Sequence, residues 1–236
     1  MRIALILAAA GSGNRMGAAK NKVLLPLAGR PLLAWSLDRF QQDPQVSRIL
    51  VTTAPQDRTA IQTLLTPYDK ARSTPGGQTR LDSIAFALDQ LLAEAGQGQL
   101  PWDKVAVHDG ARPLLSQRDW DRLLEVAAQA PAALLVRPVT DTIKLTEAGQ
   151  VLSTVPRDRL AAALTPQIFD LPLLADAYRW ARRRNLQATD DAELVEQLGY
   201  RPIALPALDP NPKITYPQDL TVAQALLGMD RISVDL

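Results

Sequence analysis

The run Ala8-Ala9-Ala10-Gly11-Ser12-Gly13-Asn14-Arg15-Met16-Gly17, followed by Lys20 and Lys22, holds the residues best suited to phosphate chemistry. Small side chains let backbone N–H groups approach an anion, and successive N–H groups in such a turn form an anion-binding concavity. Arg15 and Lys22 add positive charge. Two familiar phosphate loops are excluded by spacing. A Walker loop places four residues before its Gly-Lys-Ser/Thr, whereas five separate Gly11 from Gly17 and no Lys-Ser/Thr follows. A dinucleotide fingerprint needs G-x-G-x-x-G, and here the third glycine comes one residue late. By themselves these residues fit any phosphate-binding turn, or a tight strand-to-helix turn whose Arg15 and Lys22 are solvated.

Asp109 follows an apolar run, Val105–His108, that reads as a strand. Ligand sites of wound sheets collect at such strand ends, although an Asp before Gly110 also suits a simple turn. His108 is the only histidine and there is no cysteine. Thiolate chemistry and disulfides are therefore excluded, and the composition suits a reducing compartment. His108 is expected to pack, facing away from Asp109 if the strand continues.

These residues need a scaffold, and the pattern supplies one. Strands are expected at Ile3–Leu7, Arg48–Thr53, Val105–His108, Ala133–Val136 and Ile203–Leu205, with helices between them. That alternation predicts a mainly parallel sheet covered on both faces. The clearest helix runs from Thr79 to Ala95, where Leu81, Ile84, Ala85, Leu88, Leu91 and Leu92 form one apolar face. Pro31 can open a helix to about Gln42, Ser116 with Asp119 makes a capping-box-like start, and a last helix begins near Pro217. From Asp141 to Val155 two alternating runs flank Glu-Ala-Gly-Gln, which predicts a hairpin. A lone hairpin is marginal in water and must pack on something, either its own domain or, as expected here, a second subunit. No repeat or long linker appears, so residues 1–236 are expected to form one domain with a β-arm at about 138–158.

Lys plus Arg total 26 against 25 for Asp plus Glu, a formal net charge of +1. Such balance argues against bulk attraction to nucleic acid or an anionic membrane. Arg182-Arg183-Arg184 reads as a solvated helix end, and the four tryptophans show no stacking stripe. The longest apolar run, Ile3–Ala10, is too short to span a bilayer and sits at the lower limit for a signal segment. The chain is expected to be soluble, unprocessed and cytoplasmic.

Further motifs follow the glycine turn in order: Gly76-Gly77-Gln78-Thr79-Arg80-Leu81-Asp82-Ser83, His108-Asp109-Gly110-Ala111-Arg112-Pro113, and Pro138 to Lys144. Then come Leu164-Thr165-Pro166-Gln167, Thr189-Asp190-Asp191-Ala192 and Asn211-Pro212-Lys213-Ile214-Thr215. Together, over nearly the whole chain, they resemble the 2-C-methyl-D-erythritol 4-phosphate cytidylyltransferase family. Two departures stand out: Asn21-Lys22-Val23 where many members have Pro-Lys-Gln, and Gln78 where an acidic residue is frequent.

The resemblance implies an α/β, Rossmann-like nucleotidyltransferase with a mostly parallel twisted sheet and an inserted β-hairpin arm. It implies attack by a sugar-alcohol phosphate on the α-phosphorus of CTP; with the hairpin's need for cover, a homodimer through the β-arm is expected. Such transfer is mostly positioning and charge neutralisation, and a phosphate with a second pKa of about 6 needs no general base. The implied catalytic residues are Arg15, Lys22 and Lys213; Lys213 alone would read as a solvated loop lysine. CTP would be held by Ala9, Ala10, Gly11, Gly13, Gly76, Gly77, Gln78, Ser83, Asp109 and Gly110, with Asp109 also holding Mg2+. The second substrate would meet Arg112, Thr142, Arg157, Thr165, Thr189 and Asp190. A ribitol 5-phosphate cytidylyltransferase is the nearest rival, and a non-catalytic nucleotide-binding regulator is the rival from another class. An NAD-dependent dehydrogenase is disfavoured by the glycine spacing and by Thr52-Thr53 where an acidic residue should end the second strand.

Overall fold

A computed structural model describes residues 1–11, 21–96 and 101–229. Among them, seven strands form one sheet in the order β11-β7-β10-β6-β1-β4-β5. These are β1 (Ile3–Ala8), β4 (Val46–Thr53), β5 (Ala71–Pro75), β6 (Lys104–Asp109), β7 (Ala132–Pro138), β10 (Ala161–Asp170) and β11 (Ile203–Pro206). All pairings are parallel except those of β10, which runs antiparallel between β6 and β7. The short pair β2 (Pro26–Leu27) and β3 (Arg30–Pro31) stands apart, as does the hairpin of β8 (Ile143–Glu147) and β9 (Gln150–Val155).

Every strand expected from the sequence is present. Besides the short β2 and β3, the seven-stranded sheet holds two that the sequence hid. Strand β5 is short and ends in Pro75, which its edge position tolerates. Strand β10 carries Pro166 and three alanines, poor credentials for a central strand. Its ladder to β7 shifts register between Ala163 and Gln167, so the missing N–H of Pro166 falls where pairing is already interrupted.

Side chains of β1 alternate between two cores, as the pleat requires. Ile3, Leu5 and Leu7 join α1 (Leu32–Gln42), α2 (Arg58–Leu65) and α4 (Gln117–Gln129) on one face. Ala4 and Ile6 meet α3 (Arg80–Ala95), α5 (Leu171–Arg184) and α6 (Asp191–Gln197) on the other. Trp120 is fully buried edge-on to Phe40, and its indole donates to Asp43 at 2.6 Å, so its polar edge is satisfied. A smaller cluster of Leu27, Leu32, Ile214 and Ala223 seats α7 (Pro217–Met229) and the loop before it.

Local signals set the helix ends. Thr79 and Asp82 form a reciprocal capping box on α3, and Ser116 caps α4. Pro31 occupies the N-cap of α1, one position earlier than expected. Asp119 does not reach back to complete a box. Its carboxylate instead accepts N–H bonds from Leu208 at 2.9 and 3.1 Å and from Asp209 at 3.0 Å. In the hairpin, Ala148 and Gly149 both have positive φ, +47° and +80°, as a primed two-residue turn demands. Among the described residues no helix is long and apolar enough to cross a membrane.

Candidate active site

The parallel register brings Ala8 level with Thr52 on β4 and Asp109 on β6, so three strands end at one rim. A cleft of about 550 Å³ opens there. This is the place where sequential strands depart to opposite sides of β1, the usual ligand site of wound sheets. Ala9 donates its N–H to Thr52 Oγ1 at 3.0 Å, which holds the chain extended beyond β1.

Residues 12–20 lie outside the described residues, and Gly13 and Arg15 with them. Both flanks of that loop are tethered. Asn21, 5% exposed, donates from Nδ2 to the Ala9 carbonyl at 2.8 Å and to Asp57 Oδ2 at 2.8 Å, while its Oδ1 accepts from Val23 N–H at 3.3 Å. Asn21 therefore binds the loop's exit to its entry. Its neighbour Lys22 lines the cleft and donates to the Ile214 carbonyl at 2.9 Å.

Gly77 lines the cleft, with Gly76 directly behind it. Gly77 donates to Ser83 Oγ at 2.9 Å, and that hydroxyl donates to the Thr79 carbonyl at 2.9 Å, folding the loop onto the start of α3. A Cβ at Gly76 would sit 2.3 Å from Ala10 Cβ, and one at Gly77 would sit 2.2 Å from Asp82 Cβ. Neither position has room for a side chain.

Asp109 is the site's electrostatic centre. Its carboxylate meets Lys213 Nζ at 2.7 Å, Arg80 Nε at 3.5 Å and Arg112 Nε at 3.8 Å. Burial pushes its carboxyl up, but Arg80 and Lys213, with a smaller share from Arg112, hold it well below the usual carboxylate range. It is ionised at neutral pH. Among the described residues no cluster of three acidic or histidine ligands exists to cage a metal. One ionised carboxylate beside an open cleft still fits Mg2+, which binds through one or two carboxylates plus substrate phosphates.

Behind Asp109 a chain of hydrogen bonds fixes its backbone. Its N–H donates to Thr165 Oγ1 at 3.0 Å, leaving the Thr165 hydroxyl to donate to His108 Nδ1 at 3.1 Å. His108 Nε2 lies 3.0 Å from the Arg112 carbonyl and so carries the proton. Burial lowers this histidine to about 4, so the imidazole is neutral. It packs edge-on against Phe40, as expected of a core residue.

The expected site residues that are described, all but Gly13 and Arg15, sort into three groups. Ala9, Ala10, Gly11, Lys22, Gly77, Gln78, Ser83, Asp109 and Lys213 all line the one cleft. Gly76, Gly110, Arg112 and Thr165 stand directly behind it: Gly76 donates to Thr53 O, Gly110 to Ala8 O, and Arg112 to Asn211 O at 2.7 Å. The remaining four are outside the lining. Thr189 is exposed and bonded to Glu193, while Asp190 caps α6 and accepts from Gln167 at 2.7 Å. Thr142 and Arg157 flank the hairpin, exposed, with Arg157 donating to the Thr140 carbonyl.

Sequence reasoning passed over Arg80 and Asp191, though both stand inside quoted motifs. Arg80 Nη2 meets Asp191 Oδ2 at 2.6 Å, and Tyr178 donates to Asp191 Oδ1 at 2.5 Å. Burial beside that carboxylate raises the Tyr178 phenol well above its ordinary value, so it stays a donor. One signal was available: Arg80 is the first helical residue of α3, where a cation opposes the helix dipole. A charge so placed implies a partner elsewhere.

No nucleophilic thiol and no accessible imidazole face this cleft among the described residues, while Arg80 and Lys213 converge on one carboxylate. Such a cleft suits chemistry in which the substrate itself brings the attacking oxygen, as in the nucleotidyltransferases. The family model of 2-C-methyl-D-erythritol 4-phosphate cytidylyltransferase matches residues 3–229, and the chain belongs to that family. A family member from Halalkalibacterium halodurans is 37% identical over 231 residues, covering 97% of this chain and 98% of its own. One from Acidithiobacillus ferrooxidans is 41% identical over 232 residues, covering 96% and 97%. Among solved structures, 4-diphosphocytidyl-2C-methyl-D-erythritol synthase from Anaerococcus prevotii superposes with a TM-score of 0.81 at 26% identity, covering 96% of each chain. The Thermus thermophilus cytidylyltransferase gives 0.75 at 33% identity, covering 96% of this chain and 98% of its own.

Proposed function

We infer that this protein transfers the cytidylyl group of CTP to 2-C-methyl-D-erythritol 4-phosphate, releasing pyrophosphate and 4-diphosphocytidyl-2-C-methyl-D-erythritol. The observation that carries the reading is the meeting of Lys22, Asp109 and Lys213, from three distant stretches of chain, in one cleft. An oxygen of the methylerythritol phosphate bonds to the α-phosphorus as the bond to the bridging oxygen breaks, and pyrophosphate leaves with that electron pair. The attacking phosphate is already largely dianionic at neutral pH, so the protein need not remove a proton.

Charge is the obstacle, and the side chains act on it. Lys22, Lys213 and Arg15 offset the negative charge that spreads over the triphosphate in the transition state. Gly76 and Gly77 let backbone groups come close to the cytosine ring, with Gln78 and Ser83 beside it. Asp109 would hold Mg2+, and the bound ion would supply further neutralisation of the phosphates. Arg112 and Thr165 act from behind the cleft by holding the Lys213 loop and the Asp109 backbone.

A homodimer completes the reading. Leu145, Val151 and Leu152 on the hairpin are 53, 60 and 56% exposed, an apolar surface on an arm that cannot be stable alone. A second copy covering it would bring Thr142 and Arg157 to its neighbour's sugar-phosphate pocket. The natural setting is the cytoplasm, where CTP is available. Pyrophosphate release with CTP and Mg2+ tests the reaction, with methylerythritol and ribitol phosphates compared side by side. Release with the methylerythritol phosphate is expected; release only with ribitol phosphate, or with neither, would overturn it.

A further inference from the structure

Arg80 has two carboxylates within reach and leans to one. Its Nη2 is 2.6 Å from Asp191, while its Nε is 3.5 Å from Asp109. We propose that Asp191 is a positioning residue that holds Arg80 back from Asp109, so that Oδ1 of Asp109 stays open to nucleotide-bound metal. The proposal rests on the magnesium reading above.

The geometry of Asp109 makes this restraint necessary. Its Oδ2 is engaged by Lys213 at 2.7 Å and faced by Arg112 Nε at 3.8 Å, whereas among the described residues Oδ1 accepts only one long hydrogen bond, from Arg80 Nε at 3.5 Å, and is the oxygen left for a metal. A guanidinium with no other anion closes on a carboxylate as a two-pronged pair, the preferred geometry of these groups. Without Asp191, Arg80 would do so and occupy Oδ1.

The anchor is built to resist that pull. Asp191 is fully buried in the first turn of α6, with Tyr178 donating to its second oxygen at 2.5 Å. Gln167, 1% exposed, fixes the same turn, accepting from the Ala192 N–H at 3.0 Å and donating to Asp190. Buried ion pairs contribute little net stability compared with apolar packing. Joining α3 to α6 would therefore not by itself call for one.

CTP binding by the full chain, measured by calorimetry with and without Mg2+, tests the proposal. In the wild type Mg2+ should tighten binding. Asp191→Asn should cut that tightening by about ten- to a hundredfold, as for other residues one step behind a metal ligand, while metal-free CTP binding persists. Adding Arg80→Gln to Asp191→Asn should restore much of the loss, because the competitor for Oδ1 is gone. Equal loss in the single and double variants, or no loss in Asp191→Asn, would overturn the role of Asp191. A wild type indifferent to Mg2+ would instead overturn the magnesium reading, and this proposal with it. Should Asp191→Asn not fold, Tyr178→Phe keeps both charges and should give a smaller loss of the same kind; an unchanged Mg2+ effect would then count against the proposal.

Discussion

Lys22 and Ile214 are 192 positions apart, yet the lysine ammonium donates to the isoleucine carbonyl at 2.9 Å. That bond joins the exit of the glycine loop to the loop that carries Lys213. The Ile214 N–H in turn donates to the Ala111 carbonyl at 2.8 Å, just beyond Asp109. The two cation-bearing loops are thus parts of one framework.

Loss of either cation should therefore be felt at the other. Lys213→Ala should lower kcat by about a hundredfold or more with CTP affinity scarcely changed, as for a contact that strengthens in the transition state. In a double-mutant cycle on kcat/KM, Lys22→Ala and Lys213→Ala should couple by about 0.5–3 kcal/mol. Additive effects would show that the loops act independently.

Asp119 sits on α4, away from the cleft, but anchors the Lys213 loop through Leu208 and Asp209. Asp119→Ala leaves those N–H groups without their acceptor and should cost about 1–3 kcal/mol of stability in urea unfolding. The released loop should also misplace Lys213, and displacements near 1 Å can cost about a hundredfold in rate. The expected signature is a lower kcat with CTP affinity retained; an unchanged kcat would disconnect the anchor from the chemistry.

His108 makes stability depend on pH. Its folded value is about 4, against 6.5 unfolded, so the folded state binds fewer protons between those values. Its contribution is complete above pH 6.5 and is lost as pH falls towards 4, about 3 kcal/mol in all. Asp109, also depressed, loses its contribution only below the unfolded value of 3.8. Urea midpoints measured from pH 7 to 4.5 should fall in the wild type and stay flatter in His108→Asn. Equal slopes would contradict the buried neutral imidazole.

Sharing of the hairpin has its own test. Arg157→Ala and Lys22→Ala place their defects in different pockets if the arm crosses between subunits. Verified mixed dimers should regain activity in one of two sites. Heterodimers as inactive as either parent would argue that Arg157 serves its own subunit.

Much of the scaffold was legible because its causes are local. The apolar run of β1, the apolar face of α3, the Ser116 cap of α4 and the Gly-containing hairpin turn each depend on a few consecutive residues. The glycine turn, the Gly76-Gly77 pair and Asp109 could be picked out in the same way, since small residues and strand ends mark where ligands approach. Strand β10 could not, because proline and alanines argue locally against the position that β6 and β7 impose on it.

What the tertiary structure alone decided is who meets whom. Arg80 and Asp191 are 111 positions apart, and nothing in either neighbourhood names the other. The same holds for Asp119, whose capping-box position predicted a local bond while folding offered it two distant N–H groups. Short-range geometry follows from covalent spacing and backbone preference. Charge pairing does not: it depends on which ends of the sheet come together, and that is settled by burying both of its faces at once.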